Sequence, residues 1–150
     1  MFGRIIRKIK SIIYVIFHPR FRKVVFYDVP TIYFVKNLQI GECTHINGNV
    51  FINAIGGVKI GKNCIVSQGV SIFSTGLDIE KWSERDFKKD GHVNKEVIIG
   101  DNVWLCANVT LCPGAVIEDD VVVAAGSVVC GHLKKGYLYG GVPAKEIRRL

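Results

Sequence analysis

The sequence has few of the features that disulfide-bonded, zinc-binding or membrane-spanning proteins require. Its five cysteines are odd in number and no two are spaced as CxxC, so neither a disulfide framework nor a zinc site of thiolates is indicated. We expect free, buried thiols in a reducing compartment. The apolar run of residues 12–17 is too short to cross a bilayer, and no small-residue cleavage site follows it. These absences favour a cytoplasmic protein.

Acidic residues are absent from the first 27 positions. The seven basic residues in this segment account for the whole formal net charge of +7, and they are Arg4, Arg7, Lys8, Lys10, Arg20, Arg22 and Lys23. The remaining 13 basic residues are balanced by 13 acidic ones. Because the basic residues occur on one short helix without interleaved stacking aromatics, we expect no nucleic-acid partner.

A six-residue period organises the second half of the chain. Aliphatic residues recur at intervals of six, at Ile99, Leu105, Leu111, Ile117, Val123 and Val129. A second row follows in step, at Val103, Val109, Ala115, Val121 and Ser127. An amphipathic helix repeats every three to four residues and a strand every two, so neither explains this period. It predicts a solenoid with three flat sides, in which each aliphatic residue stacks on its equivalent one coil away.

The same period is present upstream, with one offset. Positions 40, 46 and 52 and positions 60, 66 and 72 hold isoleucine or valine, and the two runs are displaced by two residues. Gly56 and Gly57 lie between them, so we expect a bulge or corner there. Residues 40–73 and 99–134 are therefore predicted to form one solenoid of about four coils, with strands spaced as in a sheet.

Two segments fall outside the period. Residues 74–98 contain no hexad and are predicted to be an inserted loop, and long loops inside a compact domain are often functional. Residues 1–30 are predicted to be a basic amphipathic extension, which leaves residues 31–150 as the solenoid domain. Because a solenoid of this size has a thin core and open ends, we expect it to assemble into an oligomer.

The extension carries a helical pattern. Its isoleucines at positions 5, 6, 9, 12, 13 and 16 follow the i, i+3/i+4 rule, while basic residues take the other face. Pro19 would end such a helix. A helix of this kind can lie on an anionic membrane surface, or it can dock its isoleucines against a neighbouring solenoid. The sequence leaves both options open, a peripheral membrane contact through residues 4–17 and a contact between subunits.

Three motifs resemble a known family. They are residues 99–104 (IGDNVW), 123–129 (VAAGSVV) and 140–145 (GGVPAK), and in this order and spacing they are similar to the hexapeptide-repeat acyltransferases, sugar O-acetyltransferase branch. The resemblance covers about residues 38–150. It implies an all-β solenoid, namely a left-handed parallel β-helix of hexapeptide repeats, here with an inserted loop and an N-terminal amphipathic helix.

The resemblance also implies an activity and an assembly. Members of this branch form homotrimers, hold acetyl-CoA in the groove between adjacent prisms, and transfer the acetyl group directly to a sugar hydroxyl without a metal. Together with the basic helix, the resemblance implies a small-molecule or lipid-linked sugar acceptor in surface polysaccharide biosynthesis, at the inner membrane surface.

The reaction implied by the resemblance needs a general base, because a sugar hydroxyl is a weak nucleophile whereas a thioester is already activated. Histidine suits this role near neutral pH. The candidates are His18, His45, His92 and His132, and only His92 lies in the insertion, where similar enzymes place their catalytic histidine. Relatives carry it earlier in the loop, where this chain has residues 74–78 (STGLD). We therefore expect the loop to fold back so that Asp78 orients His92.

Cofactor and acceptor contacts are implied residue by residue. Trp104 matches an aromatic beside the cofactor groove, Ala107 and Ala125 match positions where backbone groups meet the pantetheine arm, and Gly126 serves the adjoining turn. Lys145 and Arg148 match basic residues that meet CoA phosphates. Relatives often have Thr-Lys where this chain has Cys130 and Gly131, so Lys134 or Lys135 is expected to replace that contact. Asn53 matches an acceptor-binding asparagine.

Other functions remain open at this point. A family member that acts on serine or on an amino-sugar amine would share the fold and the groove. A non-catalytic β-helix scaffold would lack acetyl transfer, and the missing early histidine favours it. A γ-type carbonic anhydrase needs three histidines around a metal, whereas His45, His92 and His132 show no paired spacing, so we expect no metal.

Overall fold

The structure is a computed structural model, and it describes residues 2–79 and 91–150, without the side chains of residues 2–4 and 7. In this part of the chain, α1 (Phe2–Phe17) is followed by a short 3-10 helix, Pro19–Phe21, and a second one, Val35–Asn37, lies inside the first coil. All remaining regular elements are short strands.

Three sheets form the sides of the solenoid, and the coils pair in parallel within each sheet. Side A contains β1 (Val25–Phe26), β4 (His45–Ile46), β7 (Ile65–Val66), β12 (Trp104–Leu105), β15 (Val122–Val123), β18 (Tyr137–Gly140) and the antiparallel β19 (Lys145–Arg149). Side B contains β2 (Thr31–Tyr33), β5 (Phe51–Asn53), β8 (Ser71–Phe73), β13 (Thr110–Leu111) and β16 (Val128–Val129). Side C contains β3 (Leu38–Ile40), β6 (Val58–Ile60), β11 (Val97–Ile99), β14 (Val116–Ile117) and β17 (His132–Leu133).

A two-stranded antiparallel ribbon interrupts the third coil. It consists of β9 (Thr75–Leu77) and β10 (His92–Asn94), and it leaves the solenoid after side B and rejoins it on side C at Val97. The predicted inserted loop of residues 74–98 corresponds to this ribbon, although its last two residues already belong to β11. Residues 80–90 lie outside the described part of the chain.

The aliphatic rows of the hexads form the core. The first row, from Ile99 to Val129, is at most 2% exposed at each position, and the second row, from Val103 to Ser127, is at most 1% exposed. Strand register stacks equivalent residues of successive coils, for example Val66 on Leu105 and Leu105 on Val123. Since burial of each aliphatic side chain stabilises the fold by about 1.5–3 kcal/mol, these stacks hold the coils together.

The fold class predicted from the sequence, a left-handed parallel β-helix with an inserted loop and an N-terminal helix, is confirmed. The predicted count of about four coils is wrong, because the described strands complete five coils before β18. The additional coil spans residues 25–40, so the solenoid begins within the predicted extension. Its inward residues, Phe26, Ile32 and Leu38, also follow the spacing of six, but the first is aromatic. An end coil accommodates a bulkier ring because no further coil packs above it.

The offset in the early repeats is a turn between sides B and C. Ile52 and Ile60 are eight residues apart, whereas Leu111 and Ile117, which occupy the same two sides, are six apart. The two additional residues lie in a turn in which the Gly57 backbone nitrogen donates to the Ala54 carbonyl at 3.0 Å. Gly57 has a φ of +95°, which glycine adopts readily. The expected corner at Gly56 and Gly57 is therefore present.

Helix α1 covers the N-terminal end of the solenoid. Ser11 is buried, and Tyr14 and Val15 are half-buried against the core. The Tyr14 ring centroid lies 5.3 Å from that of Phe26, the inward residue of the first coil. The face of α1 that packs on this chain is thus not its isoleucine face. None of the helices in the described residues has the length and apolar character needed to span a bilayer.

Candidate functional site

The base of the ribbon is tied to side B through one buried serine. Ser74 is 0% exposed, and its hydroxyl donates to the Asn53 carbonyl at 2.8 Å and accepts from the Gly56 nitrogen at 2.9 Å. The Ser74 carbonyl in turn accepts from the Lys95 nitrogen at 2.9 Å, where the chain returns from the ribbon. Both ends of the insertion therefore meet beside Asn53.

His92 and Asp78 lie near each other in the ribbon stem. His92 pairs directly with Leu77 across the two strands, and the Asp78 nitrogen donates to the Gly91 carbonyl at 2.8 Å. Directly opposed residues share a face of an antiparallel ribbon, so the exposed His92 side chain lies on the Leu77 face. The predicted fold-back of the loop is present in the backbone, but Asp78 follows Leu77 and therefore starts on the opposite face of the ribbon from His92. The orientation of His92 by Asp78 stays a prediction.

Asn53 points outward from β5 and starts a turn. Its side-chain oxygen accepts from the Ile55 nitrogen at 3.3 Å, which is an Asx-turn arrangement. Strand register places it between Tyr33 and Phe73 on side B. The Asn53 amide nitrogen is the part of this side chain that can donate to an acceptor sugar while the turn stays intact.

Trp104 lies on the outer surface of side A. Its side chain is 46% exposed, and the indole nitrogen donates to the Ser67 hydroxyl at 3.1 Å. Strand register places Ile65 and Val122 on either side of it. The fixed indole presents a flat apolar surface next to the corner at which side A turns into side B.

Ala107, Ala125 and Gly126 lie along that same corner. The Gly126 nitrogen donates to the Ala107 carbonyl at 2.9 Å, which stacks one turn on the other. Gly126 has a φ of +70°, and a Cβ added to it would meet no atom within 4 Å. Because Ala125 and Gly126 are both exposed, the corner leaves open space next to the backbone, as the approach of an extended ligand would require.

The C-terminal segment continues the corner. The Val128 nitrogen donates to the Gly141 carbonyl at 3.0 Å, and the Ala144 nitrogen donates to the Val128 carbonyl at 2.8 Å. The chain then enters β19, where Lys145 and Arg148 are both exposed. The structure therefore brings Lys145 to the end of the column that begins at Ala107, whereas Arg148 pairs with Leu138 further across side A.

Lys134 is placed elsewhere. It follows β17, at the corner between sides C and A, whereas Ala107 and Ala125 lie between sides A and B. Its neighbour Lys135 pairs with Asp120 at 3.1 Å, and the hydrogen bond that Lys135 donates to the Asp120 carboxylate raises the pKa of Lys135. Neither lysine joins the column of the other candidate cofactor residues.

Sequence reasoning missed two features of the site and its surroundings. Nothing in the sequence marks Ser74, which links Asn53 to the ribbon, because it is a small residue that follows a hexad, as other small residues do. The Cys112 and Cys130 sulfurs lie 3.2 Å apart on adjacent coils, and burial together with Cys130 raises the pKa of Cys112 to about 11.

In the described ranges, no cluster of three or more histidine, cysteine or acidic side chains could hold a metal ion.

Comparisons with known proteins agree with this architecture. The profile "Bacterial transferase hexapeptide (six repeats)" matches residues 96–131, and "Hexapeptide repeat of succinyl-transferase" matches residues 40–74. The galactoside O-acetyltransferase of Escherichia coli strain K12 is 31% identical over 124 residues, which cover 81% of this chain and 59% of the relative. The chain belongs to the hexapeptide-repeat acyltransferase family.

Solved structures of this family superpose on the solenoid. A galactoside acetyltransferase in complex with coenzyme A has a TM-score of 0.72 and 27% identity, with 84% of this chain and 64% of that chain covered. The polysialic acid O-acetyltransferase OatWY has a TM-score of 0.62 and 29% identity, with 84% of this chain and 59% of that chain covered. The chain spans about 59% of the length of the first curated relative that it matches.

Proposed function

We propose that this protein is an O-acetyltransferase that uses acetyl-CoA as acyl donor and a sugar hydroxyl as acceptor. One observation carries the proposal: the ribbon that bears His92 is anchored through Ser74 to Asn53, the candidate acceptor-binding residue. The candidate general base and the candidate acceptor contact are thus anchored at the same point of the fold. The names of the matched relatives, which are galactoside and polysialic acid O-acetyltransferases, support the same chemistry.

In the proposed reaction His92 acts as the general base. Its imidazole removes the proton from the acceptor hydroxyl while the hydroxyl oxygen attacks the thioester carbonyl carbon. The carbon–sulfur bond then breaks, the acetyl group becomes an ester of the sugar, and the CoA sulfur leaves as the thiol with the proton from the imidazole. Asp78 orients the imidazole and stabilises its charged form, as the carboxylate does in hydrolase triads.

The corner column fits the acyl donor. Exposed backbone at Ala125 and Gly126 leaves space for a narrow, extended pantetheine arm, and the Trp104 indole offers an apolar wall beside it. Lys145 supplies positive charge at the end of the column and Arg148 supplies it further along β19, and phosphates would form charge-assisted hydrogen bonds with both. We assign Lys134 no contact within the same subunit, since it lies at a different corner.

The proposed assembly is a homotrimer of parallel prisms. Side A carries exposed apolar residues on its outer surface, including Ile65 and Trp104, which are 43% and 46% exposed. A neighbouring prism would cover part of this surface and complete a groove for the acyl donor. The solved relative with coenzyme A supports the use of this donor.

The proposed acceptor is a sugar unit of a surface polysaccharide, free or linked to a lipid carrier, and the proposed compartment is the cytoplasm. The relative that acts on polysialic acid supports a polymeric sugar. A membrane-surface location would bring the enzyme to a lipid-linked acceptor.

Product analysis tests the proposal. The purified chain is incubated with acetyl-CoA and a panel of galactosides, oligosaccharides, amino sugars and serine, and products are identified by mass spectrometry and by treatment with hydroxylamine. Hydroxylamine cleaves the ester of an O-acetyl product but leaves an amide intact. Acetyl esters on sugars are the expected result. Amide products would indicate an N-acetyltransferase, and binding of CoA without any product would favour a non-catalytic scaffold.

A further inference from the structure

Helix α1 presents an unpartnered apolar face to its surroundings. Ile5, Ile6, Ile9, Ile12, Ile13 and Ile16 are 43–67% exposed, and Phe17 is 77% exposed. At about 100° per residue, these seven side chains cover about 140° of the helix surface. The opposite surface, with Ser11, Tyr14 and Val15, packs on the solenoid. The isoleucine face therefore points directly away from this chain's own core.

Basic side chains line both edges of that face. Lys8 and Lys10 are exposed and lie about 20–40° beyond the outermost apolar residues, one on each edge. Lysines in these positions extend their charged groups towards lipid headgroups while their aliphatic stems stay on the apolar side. No acidic residue precedes Asp28 in the sequence, so nothing in the helix repels an anionic surface.

Some basic side chains next to α1 are hydrogen-bonded or paired within the chain, and others are exposed to solvent. Arg20 donates to the Val35 carbonyl, and Lys23 pairs with Glu42 at 2.6 Å. Lys8, Lys10 and Arg22 are exposed at the same end of the solenoid. The surplus of positive charge thus surrounds the isoleucine face, whereas a contact between two copies of this helix would bring like charges together.

We propose that α1 lies in the plane of an anionic phospholipid bilayer, with the isoleucine face inserted at the level of the headgroups and Lys8 and Lys10 on the lipid phosphates. Because Tyr14 and Val15 fix the helix to the N-terminal end of the solenoid, that end faces the membrane and β19 lies at the far end. Apolar burial and attraction to anionic lipid then act together, as in other interfacial helices. This inference goes beyond acetyl transfer and does not depend on it.

Flotation with lipid vesicles tests the inference. The full chain, without acyl donor, is mixed with phosphatidylcholine vesicles that contain about one third phosphatidylglycerol, and with vesicles of phosphatidylcholine alone. The expected result is flotation with the anionic vesicles, at least tenfold weaker binding to the neutral ones, and loss of binding as salt rises from about 0.1 M to 1 M, where the Debye length falls from about 10 Å to 3 Å.

Matched variants locate the contact. The combined change Ile9→Gln, Ile12→Gln and Ile16→Gln should abolish flotation, whereas Ile147→Gln, an exposed isoleucine on β19, should leave it unchanged. Lys8→Gln with Lys10→Gln should weaken binding by at least tenfold, and Lys8→Arg with Lys10→Arg should preserve it because the charge is kept. Circular dichroism checks that each variant folds.

Two results would overturn the inference. The first is wild-type protein that does not float with anionic vesicles. The second is a smaller assembly for the triple glutamine variant in light scattering without lipid, since it would make the isoleucine face a contact between subunits. Neither result bears on the proposed activity, because release of CoA with soluble acceptors is measured separately and is expected to be the same in the triple variant.

Discussion

The hydroxyl group of Ser74 donates a hydrogen bond of 2.8 Å to the backbone carbonyl of Asn53. Through this bond and the 2.9 Å bond from the Gly56 nitrogen, one buried side chain joins the ribbon to the side of the prism that carries the candidate acceptor residue. The ribbon is an insertion in the repeat, and Ser74 fixes where it begins.

The Ser74→Ala variant should lower the free energy of unfolding by about 1–3 kcal/mol, because it leaves the Gly56 N–H group without its partner. Thermal and urea unfolding measure this change. Ser71→Ala, on the outer surface of β8, which directly precedes Ser74, is the matched control and should change stability little. Equal stability of Ser74→Ala and the wild type would show that the hydroxyl does not anchor the ribbon.

The Asn53→Asp variant separates the turn from acceptor binding. Aspartate keeps the side-chain oxygen that accepts from Ile55, so the fold should be preserved, but it removes the amide N–H donor. We expect the KM for the sugar to rise by about tenfold or more, which corresponds to the loss of one hydrogen bond in a binding site, while the KM for acetyl-CoA stays the same.

Asn63→Asp is the control for that experiment, since Asn63 lies exposed at the corner between sides C and A with a φ of +55°. Asn63→Asp should change neither the KM for the sugar nor the KM for acetyl-CoA. An unchanged KM for the sugar in Asn53→Asp would remove Asn53 from the acceptor site and leave it as a turn residue.

Lys145→Gln combined with Arg148→Gln should raise the KM for acetyl-CoA by about fivefold to thirtyfold, because two positive charges near the phosphates are lost. Arg149→Gln, on the same strand, is the control. The effect should shrink with a donor that lacks the 3′-phosphate if that group is the one contacted. An equal KM for the wild type and the double variant would place the phosphates elsewhere on the surface.

The raised pKa of the Cys112 thiol predicts that the stability of the fold depends on pH. Its pKa is raised to about 11 by burial and by Cys130, whereas an unfolded cysteine ionises near pH 8.5. The folded state therefore holds a proton that the unfolded state releases, and stability falls as pH rises from about 8.5 to 11. Thermal unfolding across this range should show a smaller decline in Cys112→Ala than in the wild type. Parallel declines would show that Cys112 does not contribute.

Much of the fold can be predicted from the sequence because the solenoid repeats a local rule. Each hexad places one aliphatic residue inward, as Leu105 and Val123 show, so the period alone specifies the sides and the core. The first coil was harder to detect since Phe26 occupies the inward position of an end coil, where the shape requirement is relaxed. Only the structure shows that the isoleucine face of α1 points away from the solenoid, because periodicity identifies two faces of a helix without showing which one packs on the rest of the chain.

The candidate site was less accessible to sequence reasoning for a different physical reason. Trp104, Ala107 and Ala125 fall on one corner because they occupy fixed positions in the repeat, and their proximity follows from the period. Ser74 and the ribbon have no period, so their contacts depend on tertiary hydrogen bonds that leave no pattern in the sequence. Lys134 lies at another corner because Val129 and Leu133, the inward residues of sides B and C in the last coil, are four residues apart and not six.

The most direct test of the central claim is release of free CoA thiol from acetyl-CoA in the presence of a sugar acceptor, compared between the wild type and His92→Ala. The account predicts acceptor-dependent release by the wild type and a loss of at least a hundredfold in the variant, with the assembly and CoA binding unchanged. Equal release by His92→Ala and the wild type would contradict the assignment of His92 as the general base.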